Sequence, residues 1–324
     1  MMRNELVRKL VEHQGEYVSG ERLSESLGVS RTAIWKQIEV LKKQGYQIDS
    51  APKKGYQLMV RPDGLQEHDI HLYLHTKRLG QSVSYYATVP STQAVAHELA
   101  QAGEPEGHVV VADEQTSGRG RFGRNWSSAS GTSISMSLLL RPALAPENVP
   151  PLTLVAAVAV TRAIEKVTDL EADIKWPNDI LLNGKKIVGI LTEMQSEPGL
   201  ANVVILGIGI NANQTDEELI HDDRNQSTSL ATEKGELINR AELLANILEE
   251  FEWLYDAYLK NGFKEIKLLW EARSISIGLN LEAKSIHGTV TGRSVGISED
   301  GALLVEDAQG ITHKVYSADV QSKN

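Results

Sequence analysis

Asn183-Gly184 stands between two apolar runs, Ile180–Leu182 and Ile187–Leu191. A two-residue loop of this composition adopts a type I′ turn, whose twist matches that of paired antiparallel strands. The dipeptide therefore places an antiparallel hairpin in the middle of the chain. Lys175 and Asp179 precede the hairpin's first strand, and Lys185 and Lys186 open its return strand. Strict alternation turns one of those two lysines inward, and a buried ammonium requires an anionic partner. A substrate carboxylate or phosphate would serve. Asp179 is suited to holding magnesium, or to positioning a ribose or a lysine. An ordinary hairpin with a charged tip accounts for the same letters.

The other elements surround this hairpin. At 324 residues the chain has room for two or three domains of roughly 100–200 residues each. Strands are expected at Val109–Ala112, Ser133–Leu140, Ile180–Leu182, Ile187–Met194 and Val203–Ile210. Helices are expected at Thr92–Ala102, Leu152–Val167 and Arg240–Lys260. This mixture implies an α+β fold, a mixed sheet with helices on one face. Three blocks separate: 1–61, 65–272 and 273–324, the first two joined by a hinge at Arg61-Pro62-Asp63-Gly64. In the last block Leu281–Lys284, Gly288–Ile297, Leu303–Glu306 and Thr312–Val315 alternate between turns, the pattern of a small barrel.

Cysteine is absent, which excludes disulfides, zinc fingers, iron–sulfur clusters and thiol catalysis, and fits a reducing, cytoplasmic compartment. The most apolar helical stretch, Leu152–Val160, is about half the length needed to cross a bilayer. The net charge of −10 argues against a nucleic-acid partner until it is divided. Residues 1–61 hold 11 Lys and Arg against 7 Asp and Glu, a net +4, and the rest of the chain carries −14.

That basic block reads as a winged helix-turn-helix. Leu6, Val7, Leu10 and Val11 form one helical face, Ser19 caps a second helix and Gly28 makes the turn. Ser30 caps a third helix with Ile34, Ile38 and Leu41 inward. Its outer face carries Arg31, Thr32, Trp35 and Lys36, short hydrogen-bonding groups and cations near an N-terminus, as in a recognition helix. Trp35 suits packing as well as it suits a groove. A hairpin follows with Lys53 and Lys54 at its tip, placed to meet a phosphate backbone. One such module binds weakly, so a dimer on DNA is expected.

The densest motif is Gln115-Thr-Ser-Gly118-Arg119-Gly120-Arg121-Phe122-Gly123-Arg124-Asn125-Trp126. Its letters satisfy G-x-G-x-x-G, but no helix pattern follows and no acidic residue ends a second strand, so a dinucleotide fold is rejected. Glycines instead admit a ligand close to the backbone and form an anion-binding nest, and Arg119, Arg121 and Arg124 add forked positive charge. Such a loop can close over a phosphorylated or adenylated ligand. Gly207-Ile-Gly209-Ile-Asn211-Ala-Asn213 puts alternating glycines in an apolar strand, which implies close approach of another backbone or a ligand. Ser91-Thr92-Gln93 opens a helix. Taken alone, capping by Ser91 or Thr92 is the favoured reading. His68, His71 and His75 share helical spacing but lack a further ligand for zinc, and no metal site is assigned to them.

Together these motifs resemble the biotin–protein ligase family in its bifunctional form, which is also the biotin operon repressor. The likeness runs through all three blocks. It implies a class II synthetase-like ligase domain and a C-terminal SH3-like β-barrel. It also implies a two-step reaction: ATP and magnesium convert biotin to biotinyl-5′-adenylate, and a lysine of the biotin carboxyl carrier protein of acetyl-CoA carboxylase then takes the biotin. The adenylate-bound form would dimerise on operator DNA and repress biotin-synthesis genes. By this resemblance Ser91, Thr92, Gln93 and Gln115 contact biotin, Gln115 reading the ureido ring. Gly118, Arg119, Gly120 and Arg121 belong to the loop that closes on the adenylate, with Trp126 packing it. Lys186 lies near the biotin carboxylate and phosphate, and Lys175, Asp179 and Asn211 lie on the nucleotide and metal side. Arg121, Lys186, Lys175 and Asp179 are the residues expected to carry catalysis. A lipoate ligase would lack the full arginine–glycine loop and the DNA module. A ligand-sensing repressor without catalysis would not need the loop arginines or Lys186.

Overall fold

The computed structural model describes residues 2–197, 200–219, 226–285 and 288–322. The N-terminal unit comprises α1 (Met2–Glu12), α2 (Gly20–Leu27), α3 (Arg31–Lys43), β1 (Gln47–Ala51) and β2 (Gly55–Val60). Both expected caps form: Ser19 accepts from the Arg22 N–H, and Ser30 from that of Ala33. Gly28 ends α2 in the left-handed region at φ 63°. Leu6, Val7, Leu10, Leu23, Ile34, Ile38 and Leu41 close a core distinct from that of the central unit, and Leu72 from the central unit also packs against it. The wing is β1 against β2, braced by a bridge between Val18 and Tyr56.

The central unit begins with the single turn α4 (Glu67–Ile70), then β3 (Val83–Val89), α5 (Thr92–Gln101), β4 (Val109–Gln115), β5 (Ser133–Leu140) and α6 (Pro151–Thr168). It continues through β6 (Asp173–Lys175), β7 (Asp179–Leu182), β8 (Lys185–Glu197), β9 (Leu200–Asn211), α7 (Leu230–Lys234), α8 (Arg240–Asn261) and α9 (Lys264–Arg273). The strands form one sheet in the order β3-β4-β5-β9-β8-β7-β6, antiparallel except for β3 with β4. Asn183 (φ 50°) and Gly184 (φ 77°) make the type I′ turn between β7 and β8. The long helices α6 and α8 cover one face, as expected, but α5 covers the other. There Ala96 and Ala100 pack on Val110, Leu139, Val203 and Ile205.

The C-terminal unit holds β10 (Asn280–Ser285), β11 (Gly288–Ile297), β12 (Leu303–Glu306), β13 (Thr312–Val315) and β14 (Asp319–Ser322), an antiparallel sheet in the order β13-β12-β11-β10-β14. Its Leu281, Ala283, Ile297, Leu303, Val305 and Val315 share the central unit's core. Trp176, at the β6–β7 turn, donates its indole N–H to the Gly301 carbonyl at 3.2 Å. This sheet is therefore packed onto the β6–β7 edge of the central sheet, whereas the N-terminal unit keeps a separate core.

The expected hinge is instead a moored linker. Arg240, at the start of α8, is 2% exposed and donates to both the Asp63 carboxylate (2.7 Å) and the Asp63 carbonyl (2.6 Å). Its other branch reaches Asp113 (3.1 Å) and the Ser133 carbonyl (2.9 Å). Asn213 adds a bond to Asp63 at 3.3 Å. Further along, the Tyr46 hydroxyl bonds Asp69, and Asn4 meets the His71 ring at 2.9 Å. His68 packs on Tyr46 with centroids 5.6 Å apart, and burial pushes its imidazole down to about 4. The histidines at 68 and 71 thus join the N-terminal unit to the central one.

Replacing Arg240 by alanine leaves two carboxylates without their cation. The expected loss is about 2–3 kcal/mol, less than the roughly 3–5 kcal/mol of a fully buried pair, because the Asp63 side chain retains 39% exposure. Urea unfolding measures it, and a loss below about 1 kcal/mol would place the pair with ordinary surface ion pairs.

Candidate active site

One row of paired residues crosses the sheet under the α5 N-terminus: Ala112, Ser135, Gly209, Gly189, Asp179 and Lys175, from β4 through β5, β9, β8 and β7 to β6. The next row is Val110, Ser137, Gly207 and Leu191. Cross-strand partners share a face, so small residues make a trough whose β6–β7 end is charged. The trough opens into a cleft of about 1250 Å³ that continues to β14. Of the sequence-expected residues, Ser91, Thr92, Gln93, Gln115, Arg119, Gly120, Arg121, Trp126, Lys175, Asp179, Lys186 and Asn211 all line it. Gly118 does not; it backs the loop, accepting from the Trp126 N–H at 2.9 Å, and a Cβ there would strike the Trp126 carbonyl.

The hairpin's lysine is chosen by a bulge. Strict alternation from Gly189 would carry Ile187 and Lys185 onto the trough face. The register slips between Ile180 and Leu181, so Leu181 faces Lys186. Lys186 therefore turns into the cleft, its ammonium 2.6 Å from Asp179 and 5.7 Å from the centre of the Trp126 ring. Lys185 lies at the cleft's rim instead, its ammonium 3.9 Å from Glu233. Of the roles open to Asp179, the structure displays the positioning of a lysine. The Lys186 backbone is fixed by the 226–228 segment through bonds of 2.8 and 3.0 Å.

The alternating glycines are explained by side chains rather than by backbone. Gln93 lies on Gly207, and the Trp126 indole lies across Gly189 and Gly209, where any Cβ would run into it. At the α5 end, Ser91 occupies the N-cap position but its hydroxyl makes no cap bond. Gln115 supplies the acceptor instead, its Oε1 taking the Thr92 N–H (2.8 Å) and hydroxyl (3.1 Å). Ser137 in turn donates to Thr92 at 2.9 Å. Because its oxygen is used in this way, Gln115 has its amide N–H groups to offer a ligand carbonyl. The capping reading of Ser91 and Thr92 thus fails for a physical reason: a side chain from β4 does that work.

Four buried polar atoms gather here without partners: Ser91 Oγ, Gln93 Oε1, Ser135 Oγ and Trp126 Nε1. Each costs roughly 1–3 kcal/mol if nothing pairs with it. Such a concentration marks a site for a small polar ligand.

The arginine–glycine loop folds back on itself, with Arg119 bridged to Asn125 and the Gly120 N–H donating to the Arg124 carbonyl at 2.7 Å. It is tied across the cleft: Arg121 to Asn178 (3.0 Å) and Ser317 (2.9 Å), Arg124 to Asp319, and Arg119 to Glu193 (3.1 Å). Burial holds the Arg121 guanidinium below its usual value. Asn178, Glu193 and the 317–319 stretch were not singled out from sequence. Asn178 lies beside Asp179 in the stretch between Lys175 and the hairpin, whereas nothing in the 317–319 letters points to loop arginines 195 and 196 residues upstream.

On the N-terminal unit, Arg31, Thr32, Trp35 and Lys36 all lie on the open face of α3, and Trp35 is 53% exposed, which removes the packing reading. Ser30 is occupied as the cap. Arg31 pairs with Glu21 at 2.7 Å. Lys53 and Lys54 stand exposed at the wing tip, Lys54 5.4 Å from the centre of the Tyr17 ring.

Fold and site define an anion-binding ligase-like cleft joined to a DNA-reading module, and comparison with known proteins agrees. The Biotin/lipoate A/B protein ligase family model matches residues 85–211, an HTH domain model 3–57, and the biotin protein ligase C-terminal domain model 282–322. The chain is 46% identical to the bifunctional ligase/repressor BirA of Bacillus subtilis over 320 residues, 99% of this chain and 98% of that one. It is 32% identical to the Escherichia coli BirA over 302 residues, 90% of this chain and 89% of that one. Among solved structures it is similar to the biotin protein ligase from Aquifex aeolicus in complex with biotin and ATP, at TM-score 0.66 and 30% identity, covering 75% of this chain and all of that one. The chain belongs to the biotin protein ligase family, in its bifunctional ligase/repressor form. Among the described residues no helix is long and apolar enough to cross a membrane.

Gly209→Ala tests the trough. The added methyl is expected to push Trp126 off the glycines and red-shift tryptophan emission. The shift should vanish in a Trp126→Phe background. An unchanged spectrum would show that the indole does not rest there.

Proposed function

We propose that this protein activates biotin with ATP and transfers it to the biotin carboxyl carrier protein of acetyl-CoA carboxylase. It also represses biotin-synthesis genes as an adenylate-bound homodimer on operator DNA. The observation that carries the ligase reading is Lys186 turned by the bulge into a trough roofed by the arginine loop. In the first step a biotin carboxylate oxygen attacks the α-phosphorus, and the bond to pyrophosphate breaks. Both reactants are anions, so catalysis needs fixed positive charge and alignment more than a nucleophile. Lys186 faces the reacting carboxylate and α-phosphate, Arg121 and Arg119 close over the adenylate, and Lys175 and Asn211 serve the nucleotide. The ureido ring meets Ser91, Thr92, Gln93 and Gln115, its carbonyl taking the Gln115 amide N–H. In the second step the carrier lysine's amine attacks the acyl carbon, AMP leaves with its phosphate oxygen, and the amine sheds a proton.

Magnesium is held by one or two carboxylates together with substrate phosphates. Among the described residues Asp179 and Asp319 are the carboxylates lining the cleft, and Asp179 stands on the nucleotide side. The donor set therefore fits a magnesium ion carried by ATP, which would neutralise phosphate charge there. The absence of cysteine supports a cytoplasmic setting.

Lys186→Ala is expected to lower biotin-dependent ATP–pyrophosphate exchange at least about 100-fold, the scale of one lost charged group at a transition state. Normal exchange by that variant would remove Lys186 from the mechanism, and no exchange by the parent would end the ligase reading.

For repression, the +4 module sits on a −14 body. Two modules together double the basic contact, which suits control by dimerisation. In gel shifts with biotin and ATP, Lys36→Ala is expected to weaken operator binding about tenfold, the scale of one lost contact. Equal binding by that variant would remove α3 as the reading helix.

A further inference from the structure

We propose that Glu193 is the positioning residue that holds the arginine loop closed over the adenylate, and that His97 and Gln195 aim it. The inference rests on the ligase reading above. Helix α5 lies along strand β8. Gln93 and His97 are one turn apart on the same helical face, and Leu191, Glu193 and Gln195 alternate onto one strand face. The two faces meet residue by residue. Gln93 Nε2 donates to the Leu191 carbonyl at 3.2 Å, His97 Nε2 lies 3.0 Å from Glu193 Oε2, and Gln195 Nε2 lies 3.0 Å from His97 Nδ1. A carboxylate only accepts, so a neutral His97 carries its proton on Nε2, and Nδ1 then accepts from the Gln195 amide. Glu193 is thereby fixed in direction from behind.

The same oxygen, Glu193 Oε2, takes the Arg119 guanidinium at 3.1 Å. Arg119 is the first loop arginine, at the limb paired with Asn125. The loop's other ties run to the C-terminal unit, Arg121 to Ser317 and Arg124 to Asp319, and to the β6–β7 turn, Arg121 to Asn178. Glu193 is thus the mooring at the α5 side of the sheet, and through His97 it joins the loop to the helix that carries Ser91 and Thr92. Glu193 is 29% and Arg119 49% exposed at the side chain. A pair this accessible is weak in equilibrium stability, so its effect should appear in how long the loop stays shut rather than in folding.

The test uses the full chain, loaded with labelled biotin and ATP and chased with excess unlabelled biotin. Glu193→Gln is expected to release the labelled adenylate roughly three- to tenfold faster, the scale of one partly exposed charged contact. The ratio of release to formation should rise with it. Combining Glu193→Gln with Arg119→Gln should release no faster than the faster single variant, since both remove one contact. Glutamine at 97 keeps an N–H for Glu193 and alanine does not, so His97→Ala should accelerate release and His97→Gln should restore much of the hold. Parental release by Glu193→Gln, or single effects that multiply in the double variant, would overturn the proposal. If Glu193→Gln loses its cooperative melt, the His97 pair decides, and no change in either overturns it. A parent that forms no labelled adenylate removes the ligase reading and this inference together. A parent that forms it while the variants behave identically removes only the inference.

Discussion

A guanidinium almost wholly out of water is costly unless its donors are used, and Arg240 uses them on three parts of the molecule. It sits in the first turn of α8, the wrong end of a helix for a cation, so local helix energetics do not explain it. Asp63 explains it, presenting both carboxylate and carbonyl, with Asp113 and the Ser133 carbonyl on the other side. Tyr85 adds its hydroxyl to Asp113 at 2.5 Å, and burial together with that bond raises the phenol to about 12. One side chain thereby ties the linker from the DNA-reading unit to β3, β4, β5 and α8. Two residues beyond Asp113 along β4 stands Gln115, and Ser133 opens the strand that carries Ser135 and Ser137. The placement of the site's α5 end is set by the same contact that moors the linker.

With those strands fixed, the site follows from residue size. Serine on β5 and glycine on β8 and β9 leave the sheet face without side-chain volume at the row where neighbouring rows carry valine and leucine. Gln93 and Trp126 enter that space. The bulge at Ile187 then supplies the charge, turning Lys186 rather than Lys185 onto the face. One extra residue in β8 decides which of two adjacent lysines reaches the trough.

Much of this was legible in the letters. Asn183-Gly184 announced its turn, and the two serine caps and Gly28 announced the reading module, because each is a local rule with one cheap solution. The arginine loop and the lysine hairpin were visible as dense motifs. What escaped was short or distant. Strand β6 has three residues and α4 four, too few to show a period. Strand β3 is a half-exposed edge without clean alternation. Pro62 and Gly64 read as a hinge because their signal is local, whereas Arg240, which moors Asp63, lies 177 residues away. Gln115 acting as the cap acceptor for α5, and Glu193 meeting Arg119, likewise depend on strand neighbours that no window of sequence contains.

Three of the cleft's cations are paired with carboxylates within the protein: Lys186 with Asp179, Arg119 with Glu193, Arg124 with Asp319. In a body of net −14 this keeps the site from being an open sink for any phosphate. An anion that meets one of these three cations must displace its carboxylate or share it. A single small anion reaches one of them and gains little over the pair it breaks. On the proposed reading, the carboxylate of biotin and the triphosphate of ATP reach Lys186 and the loop together, while the ureido ring of biotin meets the unpartnered atoms beside α5. Selectivity then comes from the number of ion pairs exchanged at once, and that number is fixed by how far the loop, the bulge and the α5 N-terminus stand from one another.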